Sequence, residues 1–466
     1  MSAAAAQFRA QARLCAADLR HRHFIQTALA GYYAKRDECQ NRFRSWARAC
    51  QAAAAVKQDA VNHLDSCLEE FASKIEARGA KVFWAPAAAE ARAYILQLAR
   101  DRQARLIIKS KSMTTEEIHL NAALEKEGFQ VVESDLGEYI VQLRHEAPYH
   151  LVFPAMHLTR HEISDLFHEK LGSPPTDDPE ELTMTARRVL RLKYCQADIG
   201  ISGANFAIAQ TGMISITENE GNARLTASLP KVHVAVVGIE RILPKLSDLA
   251  LFLPLLATAG TGQPLTCYNS LFGGPRQPGE PDGPAEFHVV LLDNRRSELL
   301  ADAEQRDALR CIRCGACLNV CPIFKSIGGH SYGTVYQGPI GAVITPHLLG
   351  LQQWKHLSQA SSLCGACAEA CPVGIHLHHH LLQNRRNAMR AAPLWREKLL
   401  FAAYAFVMRR PAWYRISARL ARLIQPLHRW IGGSAVDPAR AWTKTRALPR
   451  LAPKSFGRLW RERPRP

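Results

Sequence analysis

The chain has no apolar run approaching the about eighteen residues that a bilayer span requires. Its best stretches, 249–257 and 399–408, are too short, and Pro254 interrupts the first, so both are expected as buried helices. The opening Met1-Ser-Ala-Ala-Ala-Ala-Gln-Phe-Arg lacks a basic segment followed by an apolar core, so no secretory leader is expected. No G-x-G-x-x-G opens a helix after a strand, which argues against a resident flavin or nicotinamide. Acidic residues are scarce relative to basic ones, 42 against 59, leaving a formal net charge of +17. Together these absences point to a cytoplasmic protein, at most peripheral at the inner face of a membrane.

What is present is cysteine in an ordered pattern. Seven of the thirteen fall into two runs. The first, Cys311-Ile-Arg-Cys314-Gly-Ala-Cys317-Leu-Asn-Val-Cys321-Pro322, is a complete C-x2-C-x2-C-x3-C-P. The second, Ser361-Ser-Leu-Cys364-Gly-Ala-Cys367-Ala-Glu-Ala-Cys371-Pro372, repeats it with serine in the first cysteine position. Bacterial-type ferredoxins hold cubane clusters with this spacing, and the fourth cysteine of each run serves the other cluster. Structural zinc favours two separated C-x-x-C pairs or Cys/His mixtures, and a chain of this size needs no disulfide staples. The remaining cysteines, Cys15, Cys39, Cys50, Cys67, Cys195 and Cys267, have no ligand spacing and read as reduced thiols.

The crossover rule assigns Cys311, Cys314, Cys317 and Cys371 to one [4Fe–4S] cluster. Cys321, Cys364 and Cys367 go to the other, with Ser361 at the vacant corner. A serine alkoxide, a water, a partner's side chain or a [3Fe–4S] cluster are the alternatives there. His376 and the run His378-His379-His380 read as a solvated helix face in preference to nitrogen ligands. Arg313 inside the first run sets positive charge beside an anionic cluster and favours its reduced form. About 42 residues separate the two runs, more than a compact ferredoxin needs. They begin with the glycine-rich Gly328-Gly-His-Ser-Tyr-Gly333, so a mainly helical two-cluster domain is expected.

The rest divides by composition. Residues 1–58 are rich in Ala, Arg and Gln and read as a helical arm. Residues 59–300 alternate β-type runs with helical stretches, an α/β domain. Strands are expected at Val82-Phe-Trp, Leu106-Ile-Ile, Val131-Val-Glu and Tyr139-Ile-Val-Gln-Leu, and again at Ala207-Ile-Ala, 213–217, 232–238 and 288–292. The two-cluster domain spans 301–390, and 391–466 is a basic C-terminal region. Within 409–466, fifteen Arg and Lys face only Asp437 and Glu462. Trp413, Trp430, Trp442 and Trp460 interleave there, with prolines at 411, 426, 438, 449, 453, 464 and 466. Such a tail suits an anionic membrane surface or an acidic partner. Nothing beside the charge marks a nucleic-acid module, and no nucleic-acid partner is expected.

Two α/β segments carry polar chemistry. Lys109-Ser-Lys-Ser-Met-Thr-Thr-Glu-Glu117 is expected to open a helix capped by Thr114, with Glu117 completing a capping box and its amides and lysines free to receive an anion. Gly203-Ala-Asn-Phe-Ala-Ile-Ala-Gln-Thr-Gly212 precedes 218–225, and Lys109, Asn205, Glu220, Asn222 and Arg224 are the residues expected to line a pocket. Turns and caps account for the same segments equally well.

These segments, Gly328-Gly-His-Ser-Tyr-Gly333 and both cysteine runs make the chain resemble, over nearly its whole length, the iron–sulfur subunit of the lactate-utilization system, the LutB/LldF family. The seven-cysteine pattern is shared by that family. The resemblance implies a LUD domain, similar in fold to ribose-5-phosphate isomerase and CoA-transferases, joined to a dicluster ferredoxin-like domain. It implies electron transfer during oxidation of L-lactate to pyruvate, with companion subunits and an acceptor linked to the respiratory chain, and no catalysis by this chain alone. Gln210 stands where relatives often have an acid, which removes a general acid/base from that point. Two rivals are carried beside this reading: an enzyme working in the LUD pocket on a carboxylate or thioester, and an iron–sulfur subunit for another 2-hydroxy acid such as glycolate.

Overall fold

The computed structural model describes residues 2–393, 395–428, 432, 434, 437, 439–443 and 446–463. By packing the chain divides once, into Met1–Ala388 and Met389–Pro466. The N-terminal helices, the α/β region and both cysteine runs therefore lie in the first unit.

The α/β region is built on six parallel strands: β1 Lys81–Ala85, β2 Leu106–Lys109, β3 Gln130–Glu133, β4 Ile199–Gly203, β7 Val232–Gly238 and β10 Glu286–Leu292. Their order is β1-β10-β7-β4-β2-β3. The central strand β7, Val-His-Val-Ala-Val-Val-Gly, is buried along its whole length, as a strand covered on both faces must be. A second sheet, ordered β8-β5-β6-β9, holds β5 Phe206–Ile208, β6 Met213–Glu218, β8 Ile242–Leu243 and β9 Tyr268–Phe272. The expected strands at 82–84, 106–108, 131–133, 207–209, 213–217, 232–238 and 288–292 fall on or overlap these elements.

Three local expectations are corrected. Tyr139–Leu143 is not a strand but part of the helix Leu136–Leu143, capped by Asp135, whose Oδ1 accepts from the Glu138 amide at 3.0 Å. A five-residue apolar run fits either period, and the cap decides it. The helix Met113–Glu117 starts two residues earlier than expected, with Ser112 instead of Thr114 as its cap. Glu117 then serves no capping box and points to Arg296. The sequence reading omitted β4 and β9, because Gly200 and Gly203 dilute the first and the second is a polar edge strand.

The helical arm is helical, as Ala3–Ala17, Leu19–Gln40 and Trp46–Asn62, but it is not a free extension. Phe8, Ile25, Leu29 and Ala53 share one apolar core with Phe252 and Leu255 of the helix Leu249–Thr261 and with Cys317, Leu318 and Phe324 of the first cysteine run. Removing a buried aromatic such as Phe324 from a core of this kind costs about 3–5 kcal/mol.

The second unit holds the helices Trp395–Met408 and Pro411–Ile424 and two shorter ones, Arg440–Thr443 and Phe456–Glu462. The stretch 399–408 is helical as expected but not buried: Leu399, Leu400, Phe401, Tyr404 and Met408 are all exposed. In Pro411–Ile424, Trp413, Ile416, Leu420 and Leu423 recur at helical spacing, opposite Arg415, Arg419 and Arg422. Trp430, Pro438, Pro464 and Pro466 lie outside the described residues. Among the described residues no helix is long and apolar enough to cross a membrane.

Candidate metal centre and adjoining cavity

The two cysteine runs adopt the same local backbone. Arg313 and Leu363, each just before the second cysteine position, sit at φ +59° and +56°, and Gly315 and Gly365, each just after it, at +81° and +86°. Left-handed residues on either side of Cys314 and Cys364 curl the chain around the cysteine, and glycine supplies half of that turn without strain. Helices follow at Ala316–Val320 and Ala366–Glu369, and Pro322 then starts another at Pro322–Ile327.

Cys311, Cys314, Cys317 and Cys371 line one pocket with Ile340 and Val373. Burial, reinforced by Cys371 and Cys311, pushes the Cys314 thiol up to about 12, and burial with Cys311 and Cys314 raises Cys317 well above its ordinary value. Thiols held neutral by burial, as Cys314 and Cys317 are, form a donor set that needs cationic metal to become thiolates. Amides already point at the sulfurs: Cys311 Sγ accepts from Arg313 N at 3.4 Å, and Cys371 Sγ from Ile375 N at 3.4 Å. The other three, Cys321, Cys364 and Cys367, interact electrostatically with one another. Burial, then Cys321 and Cys364, raises Cys367 to about 12, whereas Cys364 is exposed and shifted down by the Ala366 amide and Ser362. The residues present thus fit two iron–sulfur groups, the second of which has one exposed ligand, Cys364. All thirteen cysteines are free thiols.

Ser361 reproduces the position of Cys311. Its Oγ accepts from Leu363 N at 3.1 Å, the counterpart of the Arg313 N to Cys311 Sγ contact. The histidines near the second run go elsewhere. His380 is buried, 2.9 Å from Asp307, and His376 and His379 are exposed; none lines the first cysteine pocket.

Arg313 links the cysteine run to the α/β sheet. Its side chain is only 7% exposed, stands 3.2 Å from Glu240 and lies over the Tyr336 ring at 4.7 Å. Glu240, just past β7, also takes Arg296 at 2.6 Å, and Arg296 makes a two-pronged contact with Glu117 at 2.7 and 2.9 Å. Tyr336 and Asn294 complete the Glu117 site at 2.6 and 2.7 Å. Lys57, from the N-terminal helices, donates to the Glu240 and Ile242 carbonyls, and burial lowers it to about 7.

Beside this network a cavity of about 330 Å³ lies at the carboxyl ends of β2 and β4, where open parallel sheets hold their ligands. Asn205, Glu220 and Asn222 line it, as expected from the sequence. Lys109 and Arg224 do not. Lys109 is fully buried against Glu133 at 2.7 Å and Glu116 at 2.9 Å, so it neutralises carboxylates and has no capacity for an incoming anion. Arg224 packs over the Tyr268 ring. Gln210 is exposed, accepting from the Leu246 amide, and takes no part in the cavity. Gly203 is required here, since a Cβ would meet Ser112 Oγ at 2.6 Å. Sequence reasoning missed Arg241, which lines the cavity together with Arg313 and Cys314. Its only signal was an arginine directly after a buried strand.

Residues 68–292 match the LUD domain family and 307–375 match the 4Fe-4S dicluster domain. The chain is 43% identical over 445 residues to lactate utilization protein B of Bacillus licheniformis, covering 94% of this chain and 92% of that one. It belongs to the lactate utilization protein B family. The Bacillus velezensis member is 48% identical over 370 residues, covering 78% and 77%, and that of Bacillus subtilis 45% over 391, covering 83% and 81%. The chain is therefore a lactate-utilization iron–sulfur protein, with a LUD domain on a parallel sheet and a helical dicluster region.

Proposed function

We propose that the chain is the electron-transfer subunit of an L-lactate-oxidising system. Two electrons leave lactate on a companion subunit, giving pyruvate, and pass singly toward an acceptor linked to the respiratory chain. When bound, the iron–sulfur groups supply one-electron redox chemistry. The chain's own residues set the rest. The single observation that carries the reading is the sorting of seven cysteines into two groups: Cys311, Cys314, Cys317 and Cys371 around one pocket, and Cys321, Cys364 and Cys367 in electrostatic reach of one another, with Cys364 exposed. Two sites on one chain, the second with Cys364 at the surface, are the layout of a relay that hands electrons to another protein. The first site takes [4Fe–4S]; the second takes [3Fe–4S], or [4Fe–4S] with a ligand other than cysteine at Ser361.

The second unit supports attachment at an anionic membrane surface. The helix Pro411–Ile424 presents Trp413, Ile416, Leu420 and Leu423 on one side and arginines on the other, the pattern of a helix lying in a lipid interface.

The test is oxygen-free purification with and without the companion subunits, followed by iron and sulfide counting and EPR before and after L-lactate. A brown, flavin-free chain whose signals respond to lactate only with its companions is expected. Complete lactate oxidation by the isolated chain, or a colourless preparation without iron, is incompatible with the proposal.

A further inference from the structure

Three buried cations from separate parts of the chain lie within electrostatic reach of Cys311. Lys57 comes from the helix Trp46–Asn62, Arg241 from the turn after β7, and Arg313 from the cysteine run itself. Lys57 is 1% exposed, Arg241 8%, and the Arg313 side chain 7%. Arg313 sits beside a cysteine in the sequence; the other two arrive by folding. Arg36 and Arg310 also act on this cysteine set, at Cys314 and Cys371, but Arg310 is paired with Asp307 at 2.8 Å. Cys321, of the other set, feels Lys325 instead.

The carboxylates bonded to this group do not balance it. Lys57 donates to the Glu240 and Ile242 carbonyls, which carry no charge. Arg313 Nη2 is 3.2 Å from Glu240 Oε1, but its Nε and Nη1 are enclosed with no hydrogen-bond partner among the described residues. Arg241 Nη1 is enclosed in the same way. Glu240 is already shared with Arg296, whose other carboxylate is Glu117. Four cationic side chains, Lys57, Arg241, Arg296 and Arg313, thus meet two carboxylates. Buried charge left over in this way calls for an opposite charge close by. Cys311, Cys314, Cys317 and Cys371 supply it once they hold iron as thiolates, since such a cluster is a net anion and gains negative charge on reduction.

We propose that Arg241, Lys57 and Arg313 are the built-in counter-charge of the iron–sulfur group on Cys311, Cys314, Cys317 and Cys371, and that the α/β domain and the N-terminal helices thereby hold up its reduction potential. Positive charge stabilises the reduced cluster more than the oxidised one, and a low-dielectric interior carries the effect farther than water does. Arg241 touches neither substrate nor acceptor in this scheme; it acts through the cluster. The inference rests on the first cysteine set holding a cluster, as in the function proposed above.

The experiment is a mediated redox titration of the full iron-replete chain without oxygen, followed by EPR, the first site's signal being the one that Cys364→Ala retains. Arg241→Gln should lower that site's midpoint at unchanged iron content, by a tenfold change in the one-electron reduction equilibrium, about 59 mV. Arg241→Lys should restore most of it. Lys57→Gln, whose amide keeps a donor for the carbonyls, should move the same midpoint in the same direction and gives a second reading if Arg241→Gln folds poorly. The second site's midpoint should stay in place in all of them. Arg102→Gln removes an equal charge from a partly solvated pair with Glu286 and should move neither midpoint. A first-site midpoint unchanged in Arg241→Gln and Lys57→Gln at full iron, or equal displacement of both midpoints, would overturn the inference alone. A chain that never holds iron would overturn the electron-transfer reading instead.

Discussion

Glu240 Oε1 stands 3.2 Å from Arg313 Nη2, tying the residue just beyond β7 to the middle of the first cysteine run. The α/β sheet and the cysteine pocket are thus coupled through one buried ion pair, extended by Arg296 and Glu117. Burying these charges is tolerable because Glu240, Arg296 and Glu117 each meet more than one partner and Arg313 is paired with Glu240 and stacked on Tyr336.

Glu240→Gln should therefore destabilise the chain by about 3–5 kcal/mol, because buried Arg313 loses its counter-charge and Arg296 keeps only Glu117. Glu286→Gln breaks contacts with Lys81 and Arg102 that are partly solvated, and should cost no more than about 1 kcal/mol. Denaturant melts of the two variants decide between these magnitudes. The Arg296 and Arg313 guanidiniums overcome desolvation and hold the Glu240 carboxyl down to about 2, against an ordinary 4.5. Its stabilising contribution is complete above the ordinary value and fades as pH falls from there toward 2; the Gln variant should lack that fade.

Cys371→Ala and Cys364→Ala separate the two sites. The first variant should lose the buried site and the second the exposed one, each removing about half of the iron and leaving a different EPR signal. Identical spectra from the two variants would contradict the crossover pairing.

Ser361→Cys tests the incomplete corner. Ser361 Oγ already accepts the amide that the matching cysteine sulfur accepts in the first run, so a thiol there needs no backbone movement. The variant should retain iron longer in air than the natural chain, measured as iron per chain against time. Faster loss would show that the corner is not a ligand position.

Deleting residues 409–466 should leave iron content unchanged and abolish sedimentation with anionic vesicles. Basic residues near such a surface contribute about 1 kcal/mol each, so binding by the full chain should weaken steeply as salt rises. Equal binding of full and truncated chains to anionic and neutral vesicles would remove the membrane from the proposal.

Much of this was legible in the residues. The parallel strands announce themselves as continuous runs of Val and Ile, since both faces are covered, and the cysteine spacing names its cofactor class directly. Tyr139–Leu143 was not legible, because a short apolar run has no period long enough to separate helix from strand. Lys109 was misread for a related reason. A lysine after a strand looks available for an anion until Glu116 and Glu133 fold onto it.

The order of residues along the chain alone determined the cofactor class, the family and the basic tail, because cysteine spacing and charge density are properties of contiguous sequence. Only tertiary structure decided that Arg241 and Arg313 line one cavity with Cys314. Those residues come from a turn after β7 and from the cysteine run, some seventy positions apart. Their shared burial is created by packing, and no local pattern records it.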